Sequence, residues 1–203
     1  MLSPMSSATT LDVAITVVVG YLVGSIPIAN LVAARRVRVD LRTVGDRNPG
    51  YWNARGTLGR KAALPVFVGD VMKGAVAAGV GVLLAEPGVW GLAYVGTGAA
   101  MVGHAFPVFA RFRGGRSILT FVGGGAVFAP WATVGAVAIL LVVFAVTRSF
   151  ARAAQVGLFV FPVVQIVLEG PYRTAATGVL MTFIGLRFAT AALQARQAGA
   201  PQE

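Results

Sequence analysis

The 203-residue chain is 57% hydrophobic and only 12% charged, whereas a soluble domain is about 45–50% apolar and about 25% charged. Its mean hydropathy is +0.79, and apolar runs recur near the ~20 residues that cross a bilayer, which excludes a soluble core and indicates a multispan membrane protein. The net charge of +10 does not indicate nucleic acid, because the basic residues cluster in short loops between apolar runs, where they set topology.

The opening "MLSPMSSATT" carries no basic residue. The first apolar run is too long for a signal-peptide core and ends in "ARR", so it reads as a retained helix. The chain predicts an all-α, polytopic membrane fold, a single domain over 1–203 with about seven transmembrane helices. These cover about 11–34, 65–85, 89–106, 117–129, 131–146, 153–168 and 174–193. The second is expected to start at Pro65, a favoured first-turn residue. The fourth is short. Five spans is the alternative, if that segment is re-entrant and another lies in the interface.

The loop after helix 1 holds eight basic residues: Arg35, Arg36, Arg38, Arg42, Arg47, Arg55, Arg60 and Lys61. The loop after helix 3 holds Arg111, Arg113 and Arg116, and the loop after helix 5 holds Arg148 and Arg152. The loops after helices 2 and 4 have none, and that after helix 6 has only Arg173. Seven helices put every basic loop on one side. The positive-inside rule makes that side the cytoplasm, with the N-terminus outside and the C-terminus inside.

No cysteine is present, which rules out disulfides and thiol nucleophiles. A single histidine argues against a histidine metal cluster, and no metal or other cofactor is implied. Small residues such as Gly20 and Gly24, Gly74 and Ala78, and Gly123–Gly125 suit close helix packing in lipid. "GGGAVFAP" lacks the lysine of a nucleotide loop and sits in an apolar run.

Chemistry concentrates in the loops. The first reads "DLRTVGDRNPGYWNARGTLGRK". Glycines such as Gly45 and Gly50 let a backbone approach a ligand. Arginine forks match phosphate oxygens, and Asn48 and Asn53 offer uncharged donors. Together they predict an anion cradle at the membrane face, with loose binding of lipid headgroups as the plainer reading. The second, "GHAFPVFARFRGGRSILT", joins His104 to another glycine-arginine cluster, and two cradles on one side suggest a shared site. In "GDVMKG", Asp70 and Lys73 share a helix face. With a start at Pro65, Asp70 lies roughly 8 Å inside the helix. Charges at that depth are paired or functional. Asp70 is expected either to pair with Lys73 or to hold a loop arginine.

The segments "GYLVGSIPIANLVA", "DLRTVG", "GDVMKG" and "GHAFPVFARFRGGR", in this order and spacing, resemble the bacterial acyl-phosphate:glycerol-3-phosphate acyltransferases of the PlsY type over roughly residues 20–150. The resemblance implies a seven-helix integral membrane fold in the bacterial inner membrane with cytoplasmic active loops. It also implies transfer of a fatty acyl group from acyl phosphate to glycerol 3-phosphate, giving lysophosphatidic acid and phosphate, with a substrate phosphate oxygen as base. By position, the resemblance implies catalytic roles for Asn48, Asn53 and His104. It implies substrate binding by Gly45, Gly50, Arg55, Arg113, Gly114, Gly115, Arg116, Thr120 and Arg148, with support from Ser25, Asp70 and Lys73.

Several positions depart from the family pattern. Asp46-Arg47 stands for Ser-Gly, Tyr51-Trp52 for Ala-Thr, and Gly56 for an arginine, with Arg55 displaced by one. Arg113 and Arg116 replace lysines, and Ala151 replaces the serine of the third loop motif. Two readings stay open: an acyltransferase, or a paralogue without catalysis that binds anionic lipid or a partner protein. A transporter would need ionisable residues along a midplane path, and away from their ends the helices hold almost none.

Overall fold

The computed structural model describes residues 8–197, and these are helical and loop in structure throughout. In chain order the helices are α1 (Thr10–Gly24), α2 (Ile28–Val37), α3 (Tyr51–Leu58), α4 (Arg60–Leu84) and α5 (Gly91–Ala105). They continue as α6 (Ile118–Phe128), α7 (Pro130–Thr147), α8 (Phe150–Glu169) and α9 (Pro171–Gln197). Among the described residues six segments are long and apolar enough to cross a membrane. The seventh, α6, has 11 residues, or about 16 Å at 1.5 Å per residue. That is well short of the ~30 Å hydrocarbon core.

The first predicted helix is broken in two. Pro27 has no N–H to donate and biases Ile26 away from helical backbone. The chain therefore leaves α1 at Ser25, whose N–H still bonds the Tyr21 carbonyl at 2.9 Å, and restarts at Ile28. The second predicted helix begins at Arg60 rather than Pro65. Gly59, at φ +83, ends α3 and starts α4 in one residue, a conformation glycine adopts without strain. Pro65 is then interior, at the loss of one helical bond, and Asp70 lies about 15 Å along the helix rather than 8. Helix α3 was not expected. It buries Asn53 and Ala54 and sets the Tyr51 ring edge-on to Phe67 of α4, with centroids 5.3 Å apart.

Glycines set how closely the helices approach. A Cβ at Gly24 would collide with the Ala100 backbone, and one at Gly74 with the Thr120 carbonyl. Lipid supplies no hydrophobic drive between helices, so backbone proximity of this kind is what holds them. Gly74→Leu is therefore expected to separate α4 from α6 and to lower the unfolding temperature in detergent by several degrees. Gly79→Leu, where a Cβ meets nothing within 4 Å, is the matched control.

Contacts also give direction. Gly20 meets Gly96 and Gly24 meets Ala100, so α1 and α5 run the same way; Gly81 meets Leu92 and Gly96 meets Ala77, so α4 runs opposite. Ser117 at the head of α6 donates to the Met101 carbonyl near the tail of α5 at 2.7 Å. The ends of α1–α2 and α5, and the starts of α4 and α6, thus share one end of the bundle. Both basic loops lie there. At the other end a buried polar network ties α5, α8 and α9: Gln165 donates to the Tyr94 hydroxyl at 2.7 Å, and Thr177 donates to Gln165 at 2.6 Å.

Candidate active site

The break between α1 and α2 opens a narrow cleft against the end of α5. Gly24, Ile26, Pro27, Ile28, Ala29 and Asn30 line one wall. Asp70 and Lys73 come from α4, His104 from α5, Pro49 from the first loop, and Pro107, Arg113, Gly114 and Gly115 from the second.

At its floor three side chains meet. Asp70 is 2% exposed, Lys73 4% and His104 7%. The Lys73 ammonium donates to Asp70 Oδ1 at 2.7 Å and lies 3.2 Å from His104 Nδ1, which is itself 3.5 Å from Asp70 Oδ1. Asp70 thus pairs with Lys73, with His104 beside them, and among the described residues it holds no loop arginine. An ammonium has only donors, so Nδ1 must accept, and the neutral ring carries its proton on Nε2. That edge faces Gly115, where any Cβ would collide with it. His104 therefore presents a donor at the cleft and has no free lone pair there.

Gly114 and Gly115 cap α5. Their N–H groups bond the carbonyls of Ala105 at 3.1 Å and His104 at 3.0 Å, two of the carbonyls a helix end leaves unpaired. These amides are therefore already occupied, and the glycines serve close packing: a Cβ at Gly114 would collide with the His104 carbonyl. From α9, Arg187 braces the turn by donating to the carbonyls of Gly114 and Gly115 at 3.4–3.5 Å. Its guanidinium also lies over the Phe106 ring at 4.8 Å. Arg113 is exposed at the mouth and makes no direct ion pair among the described residues, though its charge adds to the pull of Arg42 on the Asp40 carboxylate.

The first loop is clamped from within. Asn53 is buried, and its amide donates to the carbonyls of Leu41 and Val44 at 2.8 and 2.9 Å. Its Oδ1 fills the space a side chain at Gly45 would need, and Gly45 has φ +57. Gly50 is the N-cap of α3. The Asn48 backbone N–H donates a turn bond to Asp46 Oδ1 at 3.2 Å, and its neighbour Pro49 reaches the cleft. Tyr51 packs inward on α4. Trp52 is exposed and carries the Arg55 guanidinium over its ring at 5.1 Å. Neither bulky residue lines the cleft.

Two arginines link the loops. Arg42 grips Asp40, with its closest contact at 2.6 Å, and donates to the Ala110 carbonyl in the second loop at 3.0 Å. The hydrogen bonds from Arg42 hold the Asp40 carboxylate below its ordinary range, against a smaller opposing effect of burial. The depressed value means this tie is complete above the unfolded carboxylate range, ~4, and is lost as pH falls through the lowered one. Arg42→Ala is expected to speed amide hydrogen exchange over 41–45 at neutral pH. The wild-type protein should do so only in acid below that range. Arg116 reaches Asp46 at 3.3 Å, so Asp46 pairs across loops rather than with Arg47, and Arg116 also lies over Phe188 at 4.8 Å.

Of the remaining expected site residues, Ser25 is buried at the α1–α2 break with no partner for its hydroxyl. Thr120 is buried where α6 meets Gly74. Arg148 caps α7, exposed and outside the cleft lining. Ala151 lies in α8. Sequence reasoning missed Asn30, Arg42 as a bridge, and Arg187. Asn30 is the one polar residue between Pro27 and Arg35, and an isolated amide in an apolar run was the available signal.

A model of the family described as glycerol-3-phosphate acyltransferase matches residues 14–196. The chain is 33% identical to a Bacillus velezensis glycerol-3-phosphate acyltransferase over 85% of this chain and 88% of that one. It is 35% identical to a Rhizobium etli protein of the same name over 89% and 86%. The fold is similar to the crystal structure of PlsY, an integral membrane glycerol 3-phosphate acyltransferase, in its glycerol 3-phosphate form. The TM-score is 0.78 at 26% identity, covering 94% of both chains.

Proposed function

Because the chain belongs to the glycerol-3-phosphate acyltransferase family, we propose that it transfers a fatty acyl group from acyl phosphate to glycerol 3-phosphate, at the cytoplasmic face of the bacterial inner membrane. The observation that carries this reading is the cleft. It joins a buried Lys73–His104 donor pair and the unpaired Arg113 to an apolar helix break, in one space at the basic end of the bundle.

The chemistry fits those groups. The acceptor hydroxyl attacks the acyl carbon, an oxyanion forms, and the carbon–oxygen bond to phosphate breaks. Asp70 is neutralised by Lys73, and His104 has Nδ1 filled and a proton on Nε2, so the cleft supplies no base. The hydroxyl proton therefore passes to an oxygen of the departing phosphate. The protein supplies alignment and donors aimed at developing negative charge. Arg113 attracts phosphate at the mouth, and His104 Nε2–H meets the oxyanion or the phosphate. Asn53 and Asp40–Arg42 hold the loops in place, with Asn48 positioned by the same turn.

A second reading, binding without catalysis, draws on one observation. Asp46 already occupies Arg116, a cation of the second loop. The deciding experiment supplies purified protein in a lipidic phase with palmitoyl phosphate, with and without glycerol 3-phosphate. Acceptor-dependent phosphate release, with lysophosphatidic acid identified by mass, is expected. Folded protein that releases none would favour the binding reading.

A further inference from the structure

Asn30 lines the cleft, and its carboxamide makes no hydrogen bond to any described residue. It sits in the first turn of α2, on the wall facing Asp70, Lys73, His104 and Arg113. Its Oδ1 is sealed from solvent and receives no hydrogen bond, and no bond leaves its nitrogen to any described residue. A buried amide oxygen without a donor is unfavourable. It becomes favourable when a ligand brings a donor.

The chemistry of the cleft says which donor. Lys73, His104 and Arg113 present N–H groups, which suit phosphate oxygens. A phosphate oxygen has no proton for Asn30 Oδ1 and would meet it lone pair to lone pair. A hydroxyl donates to the amide oxygen and accepts from the amide nitrogen, so one alcohol group satisfies both ends. An amide is not a base, so it does not take the proton of the attacking hydroxyl. Its partner is a hydroxyl that keeps its proton throughout the reaction.

Resting on the acyltransferase reading above, we infer that Asn30 is a specificity-determining residue that holds the non-reacting C2 hydroxyl of glycerol 3-phosphate, and so selects a polyol phosphate over a simple alkanol phosphate. It touches the acceptor and takes no part in bond making.

The test compares glycerol 3-phosphate with 3-hydroxypropyl phosphate, which keeps the reacting hydroxyl and the phosphate but lacks the C2 hydroxyl. Wild-type protein is expected to favour glycerol 3-phosphate by about tenfold in kcat/KM, the scale of one buried hydrogen bond. Asn30→Ala should bring that ratio near one by losing activity on glycerol 3-phosphate alone. Asn30→Ser, which keeps a small donor and acceptor, should restore part of it. An equal loss on both substrates would mean a structural role and overturn the inference. An unchanged ratio would overturn it too. Calorimetric binding of each alcohol phosphate without acyl donor separates the two levels. Wild-type binding of both with equal affinity sinks the role of Asn30 alone. Failure to bind either sinks the acceptor assignment and the inference with it.

Discussion

Replacing His104 by alanine is expected to lower kcat by roughly 100- to 1,000-fold, the scale of a lost oxyanion donor, while glutamine retains activity within about tenfold of wild type. The two ring nitrogens have different work. Nδ1 accepts from Lys73, and Nε2, carrying the proton, faces Gly115 and the cleft. A glutamine amide nitrogen reaches the position of Nε2 and still donates there. An asparagine reaches only as far as Nδ1. It can accept from Lys73 but leaves the cleft without its donor, so His104→Asn should resemble alanine. Single-turnover phosphate release on the four proteins decides the matter. Asparagine outperforming glutamine would place the working edge at Nδ1. A base at this position would be lost equally in all three variants.

The second large effect falls on stability. Lys73→Met leaves Asp70, 2% exposed, as a buried carboxylate whose one remaining close partner is a neutral imidazole. Breaking a buried pair from one side costs about 3–5 kcal/mol, and unfolding in a denaturing-detergent titration should shift by that order. Asp70→Asn combined with Lys73→Met removes both charges and should recover most of the loss. Activity should not recover with it, because His104 Nδ1 no longer has the ammonium that fixes its tautomer. The cycle therefore separates two roles of one lysine: counter-ion to Asp70 and orienter of His104. If Lys73→Met unfolds no earlier than wild type, the Asp70–Lys73 pair within α4 does not stabilise the fold.

The helices were legible because apolar length is a local property: each long run became helical, the first in two pieces, including the short one before Pro130. The breaks were less so. Pro27 signals one, but the gain of a cleft at that break depends on what α5 and the loops bring to it. Helix α3 was hidden because its polar residues look like loop. Only packing on Phe67 and the cluster around Leu41 and Ala54 makes a helix of them. Residue types pointed to the end of the bundle where both basic loops lie, but not to the bonds each side chain makes. Asn53 reads as a ligand donor, yet its amide is spent on Leu41 and Val44. Gly114 and Gly115 read as a phosphate cradle, yet their N–H groups close the end of α5. Asp46 finds its partner 70 residues away, beyond the reach of any local pattern. The Asp70–Lys73 spacing was readable, and the third member, 31 residues from Lys73, was not.

The brace from Arg187 to the Gly114–Gly115 turn spans 72 residues and comes from α9. As the ribosome delivers this protein to the membrane, every residue that lines the cleft is made before α9 exists. The turn beneath His104 stays unsupported until Arg187 has been made. The site is buttressed only once α9 has packed, so a chain stalled or clipped before Arg187 carries all the lining residues without the buttress that sets them.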